Sequence, residues 1–95
     1  MLERAEHELQ DLWKEFKDNA DPAAREGLIL HYSALVKFVA GRIKAGLPRS
    51  VDPQDLISYG TFGLIDAIDK FDLERGFKFE TYAVNRIKGA ILDEL

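Results

Sequence analysis

Two Asp-Pro pairs, Asp21-Pro22 and Asp52-Pro53, restrict the folding of this 95-residue chain more than any other feature. An aspartate side chain caps the first N–H groups of a helix, and proline suits the first turn because its missing N–H has no partner there. Each pair therefore predicts that a helix begins at its proline. On both sides of each pair, apolar residues recur every three or four positions, which is the spacing of one helical face.

The spacing predicts four helices and no strand, because no segment alternates with a period of two. The first helix ends at Asn19, the second ends near Gly46, and a tight loop over residues 72–76 separates the third from the fourth. We therefore predict an all-α fold, a compact bundle of about four helices formed as a single domain over residues 1–95.

The second and fourth helices lack clear limits. Ser33 is able to cap a new helix, so the second helix either runs through or breaks between His31 and Ser33. The fourth helix has no terminating glycine or proline and no basic last turn at its end, where Leu95 follows Asp93 and Glu94. We expect the chain to end within this helix and to be a fragment of a longer protein.

The third helix contains two glycines, Gly60 and Gly63. A glycine inside a helix costs about 1 kcal/mol relative to alanine, so its presence needs compensation. The close approach of another helix is the simplest one. The run between them lacks the lysine and the preceding strand of a phosphate loop, so we do not interpret it as a nucleotide site.

Composition excludes several classes of protein. The chain has no cysteine, which excludes disulfides, thiolate zinc sites and a cysteine nucleophile. No apolar run is long enough to span a membrane, and the acidic start is unlike a signal peptide. With 46% hydrophobic and 32% charged residues, the chain is expected to fold in the cytoplasm, with no cofactor and no membrane partner.

The net charge of −4 hides an alternation of sign along the chain. Acids dominate residues 1–26 and 50–72, whereas bases dominate residues 37–49 and 75–88. One interpretation is a set of solvated helix faces with incidental bias. The other is that one surface meets a basic partner and another meets phosphate.

An enzyme would need positioned acid–base groups or metal ligands, and few residues qualify. His7 and Asp11 lie at i and i+4 on the first helix, but a solvated polar face is the favoured interpretation of this pair. His31 lies beside Tyr32 in an apolar stretch, which favours a core or boundary position. We expect no metal site and no catalytic residue.

The segment from Lys70 to Lys88 is the most informative part of the sequence. It places four rings among basic residues: Phe71, Phe77, Phe79 and Tyr82. This combination suits single-stranded nucleic acid, because bases stack on rings while cations follow the phosphates. Phe71 and Phe79 are also candidates for the core, whereas Phe77, in the loop, is the best candidate for an exposed ring.

The runs Asp55–Asp72 and Gly76–Ala83 resemble region 2 of bacterial sigma factors of the housekeeping superfamily. The runs Phe79–Leu95 and Gly46–Pro48 are similar to the flagellar and sporulation branch of alternative sigma factors. The resemblance covers roughly residues 10–95. It implies a sigma-2 fold with N-terminal helices like those of region 1.2, and with the later sigma domains absent.

The resemblance implies a function in transcription initiation without enzymatic activity. In this family, the helix that matches the predicted third helix docks on the clamp-helix coiled coil of the largest subunit of core RNA polymerase. The matching positions in this chain are Asp55, Ser58, Tyr59, Thr61, Phe62 and Ile65. The acidic segment around them then has a basic partner.

The resemblance also implies a pocket for a flipped base of the melted minus-ten promoter element, on the non-template strand. The positions that match its lining are Phe71, Asp72, Arg75, Phe77, Phe79, Thr81 and Tyr82. Housekeeping members carry a tryptophan pair that wedges the duplex where this chain has Asn85 and Arg86, and a glutamine and a threonine where it has Gly89 and Leu92. Strand separation and sequence choice are therefore expected to differ, with Arg86 and Lys88 contacting DNA instead.

Two main hypotheses follow. In the first, the chain is an initiation module that binds core polymerase and promoter DNA, is nucleoid-associated when in holoenzyme, and is silenced by an anti-sigma protein, as is common in this branch. In the second, it is a helical protein-interaction domain with no role at DNA. A third hypothesis, a metal or hydrolytic enzyme, rests only on His7, Asp11 and His31.

Overall fold

In the computed structural model of this protein, the backbone is described for residues 2–95 and the side chains from residue 8 onward. The elements are α1 (Leu2–Asn19), α2 (Pro22–Lys44), α3 (Pro53–Lys70), a 3-10 turn (Leu73–Arg75) and α4 (Phe79–Asp93). This part of the chain contains no strand, so the predicted all-α fold with four helices is confirmed. None of the helices described is long and apolar enough to cross a membrane.

Both Asp-Pro pairs act as predicted. The Asp21 carboxylate accepts a hydrogen bond from the Ala23 N–H at 3.0 Å, and the Asp52 carboxylate accepts one from the Gln54 N–H at 2.9 Å. Each interaction satisfies an N–H that the first helical turn leaves without a partner. Beyond its cap, α2 is continuous through Ser33, which answers the question that the sequence left open.

Contacts divide the chain into two compact units, one ending at His31 and the other formed by Tyr32–Leu95. In the first unit, Trp13, Ala24 and Leu28 are buried. The turn after α1 uses Ala20 in the left-handed region, at φ 51°, and the Ala20 N–H donates to the Phe16 carbonyl at 2.8 Å. This is a helix end that usually carries glycine, and here alanine takes the same role.

The expected core or boundary position of His31 is wrong, because this residue is exposed. Leu28 and Tyr32, four residues apart on α2, are the buried positions of this stretch. The turn of the helix carries Leu30 and His31, which lie between them, onto the outside, and Leu30 is 67% exposed.

The second unit is organised around the packing of α3 against α4. Its fully buried side chains come from three helices: Val36, Leu56, Leu64, Ile68, Ile87 and Ile91. A Cβ added at Gly63 would lie 2.7 Å from the Arg86 carbonyl oxygen and 2.8 Å from the Ala90 Cβ. A Cβ at Gly60 would meet only side chains, the nearest being Val36 at 3.0 Å. The predicted close approach of another helix is confirmed, and that helix is α4.

We predict that Gly63→Ala destabilises the protein by about 1–3 kcal/mol, because the new methyl group has to displace backbone atoms of α4. Gly41→Ala is the matched control, since a Cβ at Gly41 meets nothing within 4 Å. The control is expected to gain about 0.5–1 kcal/mol from the better helix propensity of alanine. Urea unfolding followed by circular dichroism measures both changes. Equal stability of the two variants would contradict the packing described here.

Candidate functional site

A pocket of about 360 Å³ lies where α3, the 3-10 turn and α4 meet. Its lining combines three rings with three charged residues: Lys70, Phe71, Asp72, Arg75, Phe77 and Tyr82. Five of these six belong to the set that the sequence predicted for DNA. Lys70 was missed as a site residue, although its position beside Phe71 at the end of α3 was a usable signal.

The aromatic residues form a continuous series that runs from the core to the pocket. The ring centroids of Tyr32 and Phe79 are 4.5 Å apart, those of Phe79 and Phe71 are 5.2 Å apart, and those of Phe71 and Tyr82 are 5.6 Å apart. Phe79 and Phe71 are buried, whereas Tyr82 is only half-buried. Edge-to-face and tilted contacts of this kind hold each ring in place, so the pocket has a rigid aromatic floor.

Of the four predicted aromatic residues, Phe71 and Phe79 are therefore buried, whereas Phe77 and Tyr82 are accessible to solvent. Phe79 lies behind the floor, in the core, and supports Phe71. Phe77 is 68% exposed at the rim, as the sequence analysis expected for this ring. Most of this ring lies in water, so Phe77 is the pocket ring most accessible to a flat ligand.

The loop that carries the rim is shaped by one cap and one glycine. Asp72 accepts a hydrogen bond from the Glu74 N–H at 2.9 Å and lies 3.6 Å from the Arg75 guanidinium, so it shapes the 3-10 turn. Gly76 ends the turn in the left-handed region at φ 76°, where a residue with a side chain would be strained. Together these two residues place Arg75 and Phe77 beside the pocket.

Asp66 joins two cations at the edge of this site. Its carboxylate lies 2.8 Å from the Lys70 ammonium and also accepts a hydrogen bond from the Arg86 guanidinium, which comes from α4. The hydrogen bond from Lys70, and to a smaller extent the one from Arg86, holds the pKa of Asp66 below its ordinary value. The same contact with Asp66 raises the pKa of Arg86. No motif in the sequence marked Asp66 as a site residue.

The remaining residues predicted for DNA follow α4 away from the pocket. Thr81, Asn85 and Lys88 are exposed, and Gly89 is half-exposed. Asn85, Arg86 and Gly89 line a second groove of about 310 Å³, whose other wall is the Phe62–Asp66 part of α3. The structure therefore brings the predicted DNA residues together as one pocket and one helix face, except Phe79, which is buried in the core.

The residues predicted to face polymerase lie along the outer side of α3. Asp55, Ser58 and Phe62 are exposed, and Tyr59, Thr61 and Ile65 are partly exposed. Phenylalanine is often a core residue, but Phe62 is 72% exposed and therefore lies outside the core. Positions 55, 58, 59 and 62 follow the spacing of one helical face, opposite the buried Leu56 and Leu64. An acid next to an exposed ring on one face is suited to a basic and partly apolar partner.

A third hollow, of about 340 Å³, lies between α2 and α4, and the sequence analysis did not identify it. It is lined in part by Phe38, Arg42 and Lys88, and the Arg42 guanidinium carbon lies 5.6 Å from the Phe38 ring centroid. The basic run at residues 37–49 was the available signal.

The metal interpretation gains no support. The side chain of His7, one half of the pair with Asp11, lies outside the described residues. Elsewhere in the described chain there is no group of three or more His, Cys, Asp or Glu side chains that could hold a metal ion.

The fold and the site together define a helical binding module. Its pocket suits a ligand that has a flat, stackable group next to a negatively charged one. Residues 28–95 match the family Sigma-70 region 2, and the chain belongs to this family. The match begins at Leu28, so the likeness of the N-terminal helix to region 1.2 stays a prediction.

Relatives of known identity agree with this family and its flagellar branch. The chain is 47% identical over 94 residues to the RNA polymerase sigma-D factor of Bacillus subtilis, covering 99% of this chain and 37% of that protein. It is 46% identical to the RNA polymerase sigma factor FliA of Pseudomonas aeruginosa, over 76% of this chain and 29% of that one.

A solved structure of the flagellar sigma/anti-sigma complex, Sigma-28/FlgM, is similar with a TM-score of 0.69 and 49% identity. That alignment covers 78% of this chain and 33% of the other. The chain thus spans about a third of the length of these relatives. The resemblance inferred from the sequence is confirmed.

We predict that Arg86→Gln raises the pKa of Asp66 toward its ordinary value but not to it, because the hydrogen bond from Lys70 remains. A depressed carboxyl pKa in the folded state means that the ion pair contributes stability above the unfolded pKa, near 3.8, and loses it as the pH falls through the folded pKa. Carboxyl carbon-13 NMR titration measures the change. Lys88→Gln is the matched control, with the same loss of charge on α4, and an equal effect there would refute the assignment.

Proposed function

We propose that this chain is the part of a flagellar-type sigma factor that binds core RNA polymerase and captures one base of melted promoter DNA. The observation that carries the proposal is the pocket, in which the Phe71 and Tyr82 rings form a wall beside Lys70 and Arg75. Stacking on the rings holds a base, while the cations neutralise the phosphates that flank it. The module acts by binding and performs no catalysis of its own.

The negative net charge is compatible with this function, because the charge is unevenly placed. Lys70, Arg75 and Lys78 lie at or next to the pocket, whereas Asp55 lies in the first turn of α3, at the other end of that helix. Electrostatic attraction of a strand depends on the local field and falls within about 10 Å at ordinary salt. A small basic site therefore attracts phosphate even in an acidic chain.

The outer face of α3 is the proposed docking surface for the clamp helices of the largest polymerase subunit. Phe62 provides apolar area, and Asp55 provides an acid for a cationic partner. Aromatic anchors surrounded by polar residues are typical of the centre of such interfaces. The alternative of a helical interaction domain without a DNA role explains this face but leaves the exposed Phe77 and the pocket unexplained.

A protein inhibitor is a further proposed partner, since the similar solved structure is a complex of a sigma factor with an anti-sigma factor. Such an inhibitor would silence the module by covering the α3 face or the pocket, both of which are exposed in this chain. We expect the inhibitor and core polymerase to compete for the chain. Because core polymerase and promoter DNA are its proposed partners, we expect the protein to act in the cytoplasm.

We predict that Asp55→Arg weakens binding to core polymerase by roughly tenfold or more, because it sets a cation against a cationic surface. Phe62→Ala should weaken docking without lowering the melting temperature, since its ring is 72% exposed. Asp11→Arg, on an exposed position of α1, makes the same change of charge elsewhere and should leave the affinity unchanged. Surface plasmon resonance on immobilised core polymerase measures all three, and wild-type affinity in Asp55→Arg would rule out this face.

We predict that Phe77→Ala and Tyr82→Ala weaken capture of a minus-ten non-template strand by the complex of this chain with core polymerase. Stacking on one ring contributes on the order of 1–3 kcal/mol, so the loss should be roughly five- to a hundredfold. Fluorescence anisotropy of a labelled strand reports the affinity. Core polymerase is supplied at concentrations that saturate docking of every variant, so that Phe62→Ala, which removes another large exposed ring, is the matched control here, as Phe77→Ala is for docking. If both exposed phenylalanines affect both partners equally, the two surfaces are not separate.

A further inference from the structure

One acid, Asp66, lies between the proposed DNA pocket and the α4 helix. Its carboxylate binds Lys70, which lines the pocket, and Arg86, which lies one turn beyond Tyr82 on α4. Lys70 and Arg86 are 62% and 45% exposed at the side chain, so both can reach a ligand in solution. The ion pair with Arg86 connects α3 to α4, whereas the one with Lys70 stays within α3.

We propose that Asp66 restrains single-stranded DNA binding by holding Lys70 and Arg86 in competition with phosphate, an inference that rests on the proposed function of the pocket. The two cations and the one carboxylate leave a net charge of +1 at this edge of the site. A strand that takes either cation has to break its contact with Asp66. The residue thereby keeps the affinity for unspecific strands low and leaves stacking in the pocket to select the ligand.

The geometry indicates that Asp66 competes with phosphate for Lys70 and Arg86, and does not orient these two cations toward a ligand. Asp66 is itself 34% exposed at the side chain, and its partners reach it from two helices rather than from an enclosed network. All three groups are partly exposed to water, so exchanging the carboxylate for a phosphate has a small desolvation cost. A residue that orients a ligand group is, in contrast, usually fixed by burial and by further hydrogen bonds.

The test is the affinity of the 95-residue chain for a labelled A/T-rich single strand of about twelve nucleotides, measured at several salt concentrations. Removing one opposing charge should release about one more counterion. Asp66→Asn should therefore bind about five- to tenfold more tightly near 50 mM salt, and this gain should shrink roughly threefold by 200 mM. Asp93→Asn, which makes the same change of charge on the wall of the second groove, is the matched control and should gain less.

Combined variants show whether Asp66 acts through Arg86 and Lys70. If Asp66 acts on Arg86 and Lys70, the gain from Asp66→Asn becomes smaller in the Arg86→Gln background and smaller again when Lys70→Gln is added. The melting temperature should fall by no more than about 4–8 °C in the Asp66→Asn, Arg86→Gln and Lys70→Gln single variants, since exposed ion pairs contribute at most about 1 kcal/mol to stability. This control separates competition for DNA from a change in the fold.

The outcomes distinguish the two proposals. Weaker or unchanged binding by Asp66→Asn, while Phe77→Ala still weakens binding, overturns the restraint and leaves the pocket intact. Binding that is insensitive to Phe77→Ala and Tyr82→Ala overturns the pocket itself. Absence of binding by the wild type and by Asp66→Asn at low salt overturns both, whereas binding by Asp66→Asn alone supports the restraint.

Discussion

The close contact between α3 and α4 at Gly63 is the constraint on which the second unit depends. The absence of a side chain at this position allows the α3 backbone to approach the Arg86 carbonyl oxygen and the Ala90 Cβ of α4. Two glycines in α3 lower its intrinsic helix propensity, so the helix owes its stability to packing and to the Asp52 cap. The site follows from this packing, since its lining comes from the end of α3, the start of α4 and the turn between them.

The aromatic series Tyr32, Phe79, Phe71 and Tyr82 connects the packed core to the pocket at the surface. Phe79 begins α4 and contacts both Tyr32 of α2 and Phe71 at the end of α3. A ring that is fixed on two sides leaves its neighbour few rotamers, and Phe71 in turn lies against Tyr82. The half-buried ring that a ligand would meet is therefore held by the core, and no loop motion is needed to form the floor of the pocket.

Local signals in the sequence were sufficient for the number of helices and for the starts of α2 and α3, because caps and apolar spacing act over a few residues. The Asp21 and Asp52 caps, the close approach at Gly60 and the exposure of Phe77 were all predictable in this way. The contact of Asp66 with Arg86 was not, since it joins residues twenty positions apart and follows from the angle at which two helices pack. The exposure of His31 was missed for a related reason: in a helix apolar over much of its surface, spacing alone leaves the buried face poorly defined.

The two proposed interfaces share α3, and this sets how they act together. The docking residues lie between Asp55 and Ile65, in its first four turns, and Lys70 at its last residue belongs to the pocket. Phe62 and Lys70 are separated by about 12 Å along the helix axis, at 1.5 Å per residue. Between them α3 has no proline and no break, and Gly63 holds it against α4. A partner bound at Phe62 therefore determines where the pocket lies, because one continuous helix joins them and contains no hinge that could move one independently of the other.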